Sequence, residues 1–120
     1  MTRINVGIRP SELHSKHLMA EHREIIRIPN LIRKGRYSLE GMPDKFKLGT
    51  GHVKFFYDKL GYLYKRYCQL YVECKNRGFN VTDYRGCWDD IPEELNNNYN
   101  PTSYDRKIIR QRILERLPKK

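Results

Sequence analysis

The first periodic stretch of the chain follows Pro10. Leu13, His17, Glu21, Glu24 and Ile28 recur at helical spacing and share one stripe, with Arg23 and Arg27 on its flank. Pro10 and Ser11 supply a helix start, the Ser11 hydroxyl being free to accept an orphan backbone N–H, so a helix is predicted over about 11–28. His14 stands where a capping box wants glutamate, which leaves only half of that motif. Pro29 has no backbone donor and disfavours helix at the residue before it. A stop or kink is therefore expected there, with a short further turn over 30–34. A stripe that mixes apolar residues with two carboxylates and a histidine suits neither solvent nor core. It reads as the wall of a polar cleft.

A second period is longer and more apolar. Val53, Phe56, Leu60, Leu63, Tyr67, Leu70, Tyr71 and Cys74 predict one helix over about 52–77. Gly78 is placed to cap it in the left-handed conformation, with Phe79 folding back onto the last turn. Gly61 inside this helix costs about 1 kcal/mol relative to alanine, which a close crossing with the first helix would justify. Its aromatic stripe is read as core. Residues 80–100 are irregular apart from a short helical piece at 92–95. Pro101, Thr102 and Ser103 then open a third helix to about residue 117. Ile109, Ile113 and Leu117 point that helix inward, with Ile108 and Leu114 beside them. Its other face carries Arg106, Lys107, Arg110, Arg112 and Arg116. No strand-like alternation or internal repeat interrupts the pattern. The expectation is an all-α, single compact domain over 1–120, with three main helices and long basic loops.

Composition narrows the partners. With 24 Lys and Arg against 14 Asp and Glu, the formal charge is +10, which favours a polyanion, nucleic acid before an anionic membrane surface. No apolar run approaches the roughly 20 residues of a spanning helix, and no signal peptide precedes the charged N-terminus. A cytoplasmic protein is expected, without a membrane partner. Cys68, Cys74 and Cys87 are odd in number, lack CxxC spacing and read as reduced thiols. Together with His14, His17 and His22 they fit no zinc pattern, so neither metal nor cofactor is expected. The loop over 35–51 is flanked by Arg33 and Lys34 and carries Arg36, Lys45 and Lys47, a composition suited to phosphate contact as well as to plain solvation. Trp88, a lone tryptophan in the irregular region, is expected to pack onto the core.

Several uninterrupted runs then point to one family. They are Met1-Thr2-Arg3-Ile4-Asn5, Ser11-Glu12-Leu13, His17-Leu18-Met19-Ala20-Glu21, Arg23-Glu24, Gly51-His52-Val53, Phe55-Phe56-Tyr57-Asp58-Lys59-Leu60, Glu73-Cys74, Arg77-Gly78-Phe79-Asn80 and Asp90-Ile91-Pro92. In order and approximate spacing the chain resembles the phage endonuclease V type of pyrimidine-dimer DNA glycosylase and abasic-site lyase. The resemblance implies that the nucleophile is the α-amino group of Thr2, exposed when Met1 is removed. It implies that Glu24 is the catalytic glutamate, that Arg3, Arg23 and Arg27 contact DNA, and that His17 belongs to the site.

The implied chemistry is physically reasonable. An α-amine titrates near 8, well below a lysine at roughly 10.4, so a useful fraction is neutral at pH 7. Arg3, Arg23 and Arg27 would lower it further. The neutral amine attacks C1′ of the damaged nucleotide and leaves an imine, whose 2′ proton is then acidic enough for β-elimination. A carboxylate such as Glu24 can offset the developing positive charge and move that proton. Glu21 is a supporting candidate that braces the amine or Arg3, and Arg33 and Lys34 are candidate DNA contacts. The implied partner is double-stranded damaged DNA, bound by a monomer in the cytoplasm, the host's if the chain is phage-encoded. Two alternatives stand beside this reading. One is a glycosylase for another damaged or modified base; the other is a non-catalytic basic DNA-binding protein.

Overall fold

The computed structural model describes residues 3–116. Among them five α-helices follow one another: α1 (Ser15–Glu24), α2 (Arg27–Arg33), α3 (His52–Phe55), α4 (Leu60–Asn76) and α5 (Ser103–Glu115). Short 3-10 turns lie at Pro10–Glu12, Arg85–Trp88 and Glu93–Leu95. The long elements are α1, α4 and α5, as the three periodic stretches predict. No β-strand forms among the described residues, where a single isolated bridge pairs Lys59 with Asn96. Thr2 and Leu117, two residues of the sequence argument, lie outside the described residues.

The core is built where α1 packs along α4. Leu18 and Ile25 meet Leu60, Leu63, Tyr67, Leu70 and Cys74, all fully buried. The N-terminal segment sends Ile4, Val6 and Ile8 into the same core, with a turn at residues 6–7 between them. Phe46, Phe55 and Phe56 close one end with edge-to-face contacts. At the other end Trp88 packs on Tyr64 and Tyr67 and is buried, as expected of it.

Three boundaries differ from the sequence reading. The predicted helix start at Ser11 is instead a 3-10 turn, and Leu13 leaves it with extended backbone. His14 is the cap of α1, its Nδ1 accepting the Lys16 N–H at 3.1 Å. At the far end α1 stops at Glu24 rather than running to residue 28. Pro29 is responsible, but four residues upstream of itself. Its ring crowds the carbonyl at i−4, that of Ile25, and it has no N–H to offer there. The helix restarts as α2, with Pro29 in the first turn, where a missing donor costs nothing.

The predicted helix over 52–77 is two helices. Lys59 leaves helical geometry (φ −124°, ψ 36°) between α3 and α4. The neighbours Phe55 and Phe56 are both buried, although a continuous helix would set them about 100° apart. The break lets both rings turn inward. Lys59 Nζ donates to the Phe55 carbonyl at 3.0 Å, supplying the end of α3 with a cationic donor.

Gly61 does serve a close approach, but not to the first helix. A Cβ there would lie 2.9 Å from the Asn96 carbonyl oxygen and 3.1 Å from that of Asn97. The neighbour is the segment after Glu93–Leu95, which also accepts the Tyr62 N–H through Asn97 at 3.1 Å. Gly78 ends α4 as predicted, with φ +80°. Phe79 N–H donates to Cys74 and Gly78 N–H to Lys75, the paired bonds of a Schellman end. Helix α5 opens on a full capping box: Thr102 Oγ1 accepts the Asp105 N–H, and Asp105 Oδ2 accepts the Thr102 N–H.

Candidate active site

The face of α1 that mixes carboxylates with His17 does line a cleft. Its opposite wall is α5, and its floor is the N-terminal segment: Arg3 and Asn5 meet His17, Ala20, Glu21 and Glu24 on one side and Arg112, Ile113 and Arg116 on the other. The enclosed space is about 30 Å³, room for one water-sized group.

Three consecutive residues of the N-terminal segment are tied down one by one. The Arg3 backbone N–H donates to Glu24 Oε1 at 3.1 Å. The Ile4 N–H donates to His52 Nε2 at 3.0 Å. Asn5 Nδ2 donates to Glu21 Oε1 at 2.8 Å. His52 reaches this place because α3 starts beneath the segment, and its Nδ1 lies 2.9 Å from the Lys47 carbonyl. Accepting at Nε2 requires the proton on Nδ1, so the two bonds together select the neutral ring. Burial works in the same direction and pushes the imidazole down to about 4.

Glu21 is fully buried and is held by a side chain from α4. Arg66 Nε donates to its Oε2 at 2.7 Å and Nη2 to its Oε1 at 2.9 Å, a two-point pair. Arg66 Nη1 donates to the Ile8 carbonyl, which ties the same cation to the N-terminal segment. Burial opposes the Arg66 charge, but the Glu21 carboxylate beside it more than compensates and keeps the guanidinium firmly protonated. Glu21 is thus engaged on both oxygens. Glu24 is half-buried, faces the cleft and meets only the Arg3 amide among the described residues.

The α5 wall is strongly positive. Arg112 Nη2 donates to Asn5 Oδ1 at 3.2 Å, joining Arg66, Glu21, Asn5 and Arg112 in one relay. Burial first, then the nearby charges of Arg3 and Arg116, lower Arg112 to about 10. Three guanidinium groups crowd one opening, a region of positive potential ready for an anion. His17 Nε2 lies 3.2 Å from the Arg116 carbonyl, while its buried Nδ1 has no partner among the described residues.

A family model for pyrimidine dimer DNA glycosylases matches residues 1–85. The chain belongs to that family. The matched span covers Thr2, the tied N-terminal segment and all of α1 to α4, whereas α5 with Arg112 and Arg116 lies beyond it.

The structure brings Arg3, His17, Glu21 and Glu24 into one cleft. Arg23 and Arg27 are exposed and do not line it. Arg33 and Lys34, at the end of α2, border a separate shallow depression with Asn30 and Asp90, and Arg33 donates to the Gly86 carbonyl. Thr2 precedes the described residues. Five side chains of the site were not singled out from sequence as its members: Asn5, His52, Arg66 and, as cleft residues, the pair Arg112 and Arg116. Arg66 carried a signal. It falls three residues after Leu63 and four before Leu70, so an arginine on the buried face of α4 demanded a carboxylate. For His52 no local pattern distinguishes a site residue from a helix start. Among the described residues no cluster of His, Cys, Asp and Glu is arranged to hold a metal ion, and no helix is long and apolar enough to cross a membrane.

Proposed function

We propose that this protein is a single-domain, monomeric DNA-repair glycosylase for pyrimidine dimers that also acts as an abasic-site lyase, with the α-amine of Thr2 as nucleophile. The observation that carries the reading is the bond from the Arg3 amide to Glu24. One peptide unit separates that amide nitrogen from the α-nitrogen of Thr2, so the residue after the amine is anchored on the carboxylate the chemistry needs. Membership of the family supports the substrate class.

The amine attacks C1′, the glycosidic bond breaks with its electron pair leaving on the base, and the sugar ring opens to a protein–DNA imine. Glu24 offsets the positive charge that develops and takes the 2′ proton; the 3′ phosphate departs by β-elimination. Arg3, Arg112 and Arg116 line the cleft and bind phosphates together with the exposed Arg23 and Arg27 and with Arg33 and Lys34 at the end of α2, and His17 contacts the DNA from the α1 wall. Glu21 supports the floor of the cleft through Asn5 and Arg66.

Borohydride trapping on duplex DNA with an abasic site tests this. A covalent adduct is expected with the processed protein and is expected to vanish when one residue is added before Thr2. Trapping that survives the extension would assign the nucleophile to a lysine and overturn the reading.

A further inference from the structure

The clamp on the N-terminal segment has one member that takes no part in the chemistry just described. Arg3 and Ile4 are adjacent, yet their N–H groups reach acceptors on two different helices. The Arg3 N–H faces Glu24 on α1, and the Ile4 N–H faces His52 on α3. Of the two acceptors, Glu24 also has a charge to offset and a proton to move during turnover. The His52 ring is buried, fixed from behind by the Lys47 carbonyl and wedged edge-on between Phe46 and Phe56. It is the rigid half of the clamp.

We infer that His52 is a positioning residue for the nucleophile: by accepting the Ile4 N–H it fixes the direction in which the chain enters the cleft, and so the place of the amine two residues upstream. The inference rests on the reading of Thr2 as nucleophile. Its physical basis is that reacting atoms must sit within a near-attack distance, so that a shift of about 1 Å costs on the order of a hundredfold in rate. His52 touches neither substrate nor reacting atoms. Its effect belongs to the rate of imine formation and not to the affinity for DNA, which the arginines of α1 and α5 supply.

Two substitutions separate the ring's two bonds. In His52→Asn the side-chain amide can still donate to Lys47 but is too short to reach the Ile4 N–H. In His52→Gln the carbonyl oxygen takes the place of Nε2 and restores that acceptor. Single-turnover borohydride trapping on abasic-site duplex is compared with binding to a duplex carrying a tetrahydrofuran abasic analogue, which has no aldehyde to form an imine. For His52→Asn, trapping is expected to slow at least tenfold with analogue affinity within about threefold of wild type. For His52→Gln, trapping is expected to return to within about threefold of wild type. Wild-type trapping rates in His52→Asn, or a parallel loss of trapping and analogue binding, would overturn the positioning role. If His52→Asn does not fold, the glutamine variant still decides, because a tenfold loss there overturns the role as well. The wild-type protein extended by one residue before Thr2 is run alongside. Trapping that survives in it indicts the amine reading rather than His52, and removes the ground for the inference.

Discussion

Glu21 and Glu24 sit one turn apart on α1, and their surroundings assign them opposite tasks. Glu21 is enclosed, with both oxygens engaged by Arg66 and Asn5. Arg66 is equally enclosed, its side chain 4% exposed. Breaking a buried pair by neutralising one partner leaves an uncompensated charge and costs about 3–5 kcal/mol. Glu21→Gln is therefore expected to lose stability on that scale, read as a lower urea midpoint, with activity falling only as the folded fraction falls. Glu24 meets a single backbone amide, which a glutamine oxygen can still accept. Glu24→Gln is expected to melt close to wild type and to bind abasic-site DNA normally, yet to cut it at least a hundredfold more slowly, the scale of one positioned acid–base group. Near-native cleavage by Glu24→Gln would remove that carboxylate from the mechanism.

At the scale of elements, Gly61 sets two effects against each other. Alanine is favoured over glycine inside a helix by about 1 kcal/mol, but its Cβ would lie 2.9 Å from a backbone carbonyl of the 96–97 segment, which has no side-chain freedom to yield. Overpacking of that kind costs about 1–3 kcal/mol, and the Tyr62–Asn97 bond goes with it. Gly61→Ala is expected to be net destabilising by about 1 kcal/mol in urea denaturation; a stabilised variant would show that the segment can lift away. Sequence periodicity located α1, α4 and α5 because each buries a face repeated over several turns. It missed the break at Lys59 because that break depends on long-range partners: the Lys59–Asn96 bridge, and the inward turn of both Phe55 and Phe56. The mixed stripe of α1 was legible as a cleft wall, since carboxylates among apolar residues have few other uses. The floor of that cleft was not legible, because Asn5, His52 and Arg66 come from three separate elements and meet only in the folded chain.

For the whole molecule the same buried imidazole makes stability depend on pH. In the unfolded chain a histidine takes up its proton near 6.5; in the folded protein His52 does so only at about 4. Between these values the unfolded state binds more protons, so stability is full above pH 6.5 and falls as the pH drops toward 4. The shift corresponds to about 3 kcal/mol lost between pH 7 and pH 4, a large part of the marginal stability of a domain this size. His22, whose value burial also lowers, adds in the same direction. A second effect runs in parallel. A chain already at +10 gains positive charge as carboxylates protonate, and self-repulsion loosens it. The two are separable, because salt screens repulsion between exposed charges but not the burial of an imidazole. Urea denaturation at pH 7, 5.5 and 4, in low and in high salt, is expected to retain most of its acid loss at high salt. In His52→Gln, which has no proton to gain at that position, the slope is expected to flatten by about the His52 share. An acid loss abolished by salt, or unchanged in His52→Gln, would mean that repulsion rather than the imidazole beneath the N-terminal segment sets the acid limit of the fold.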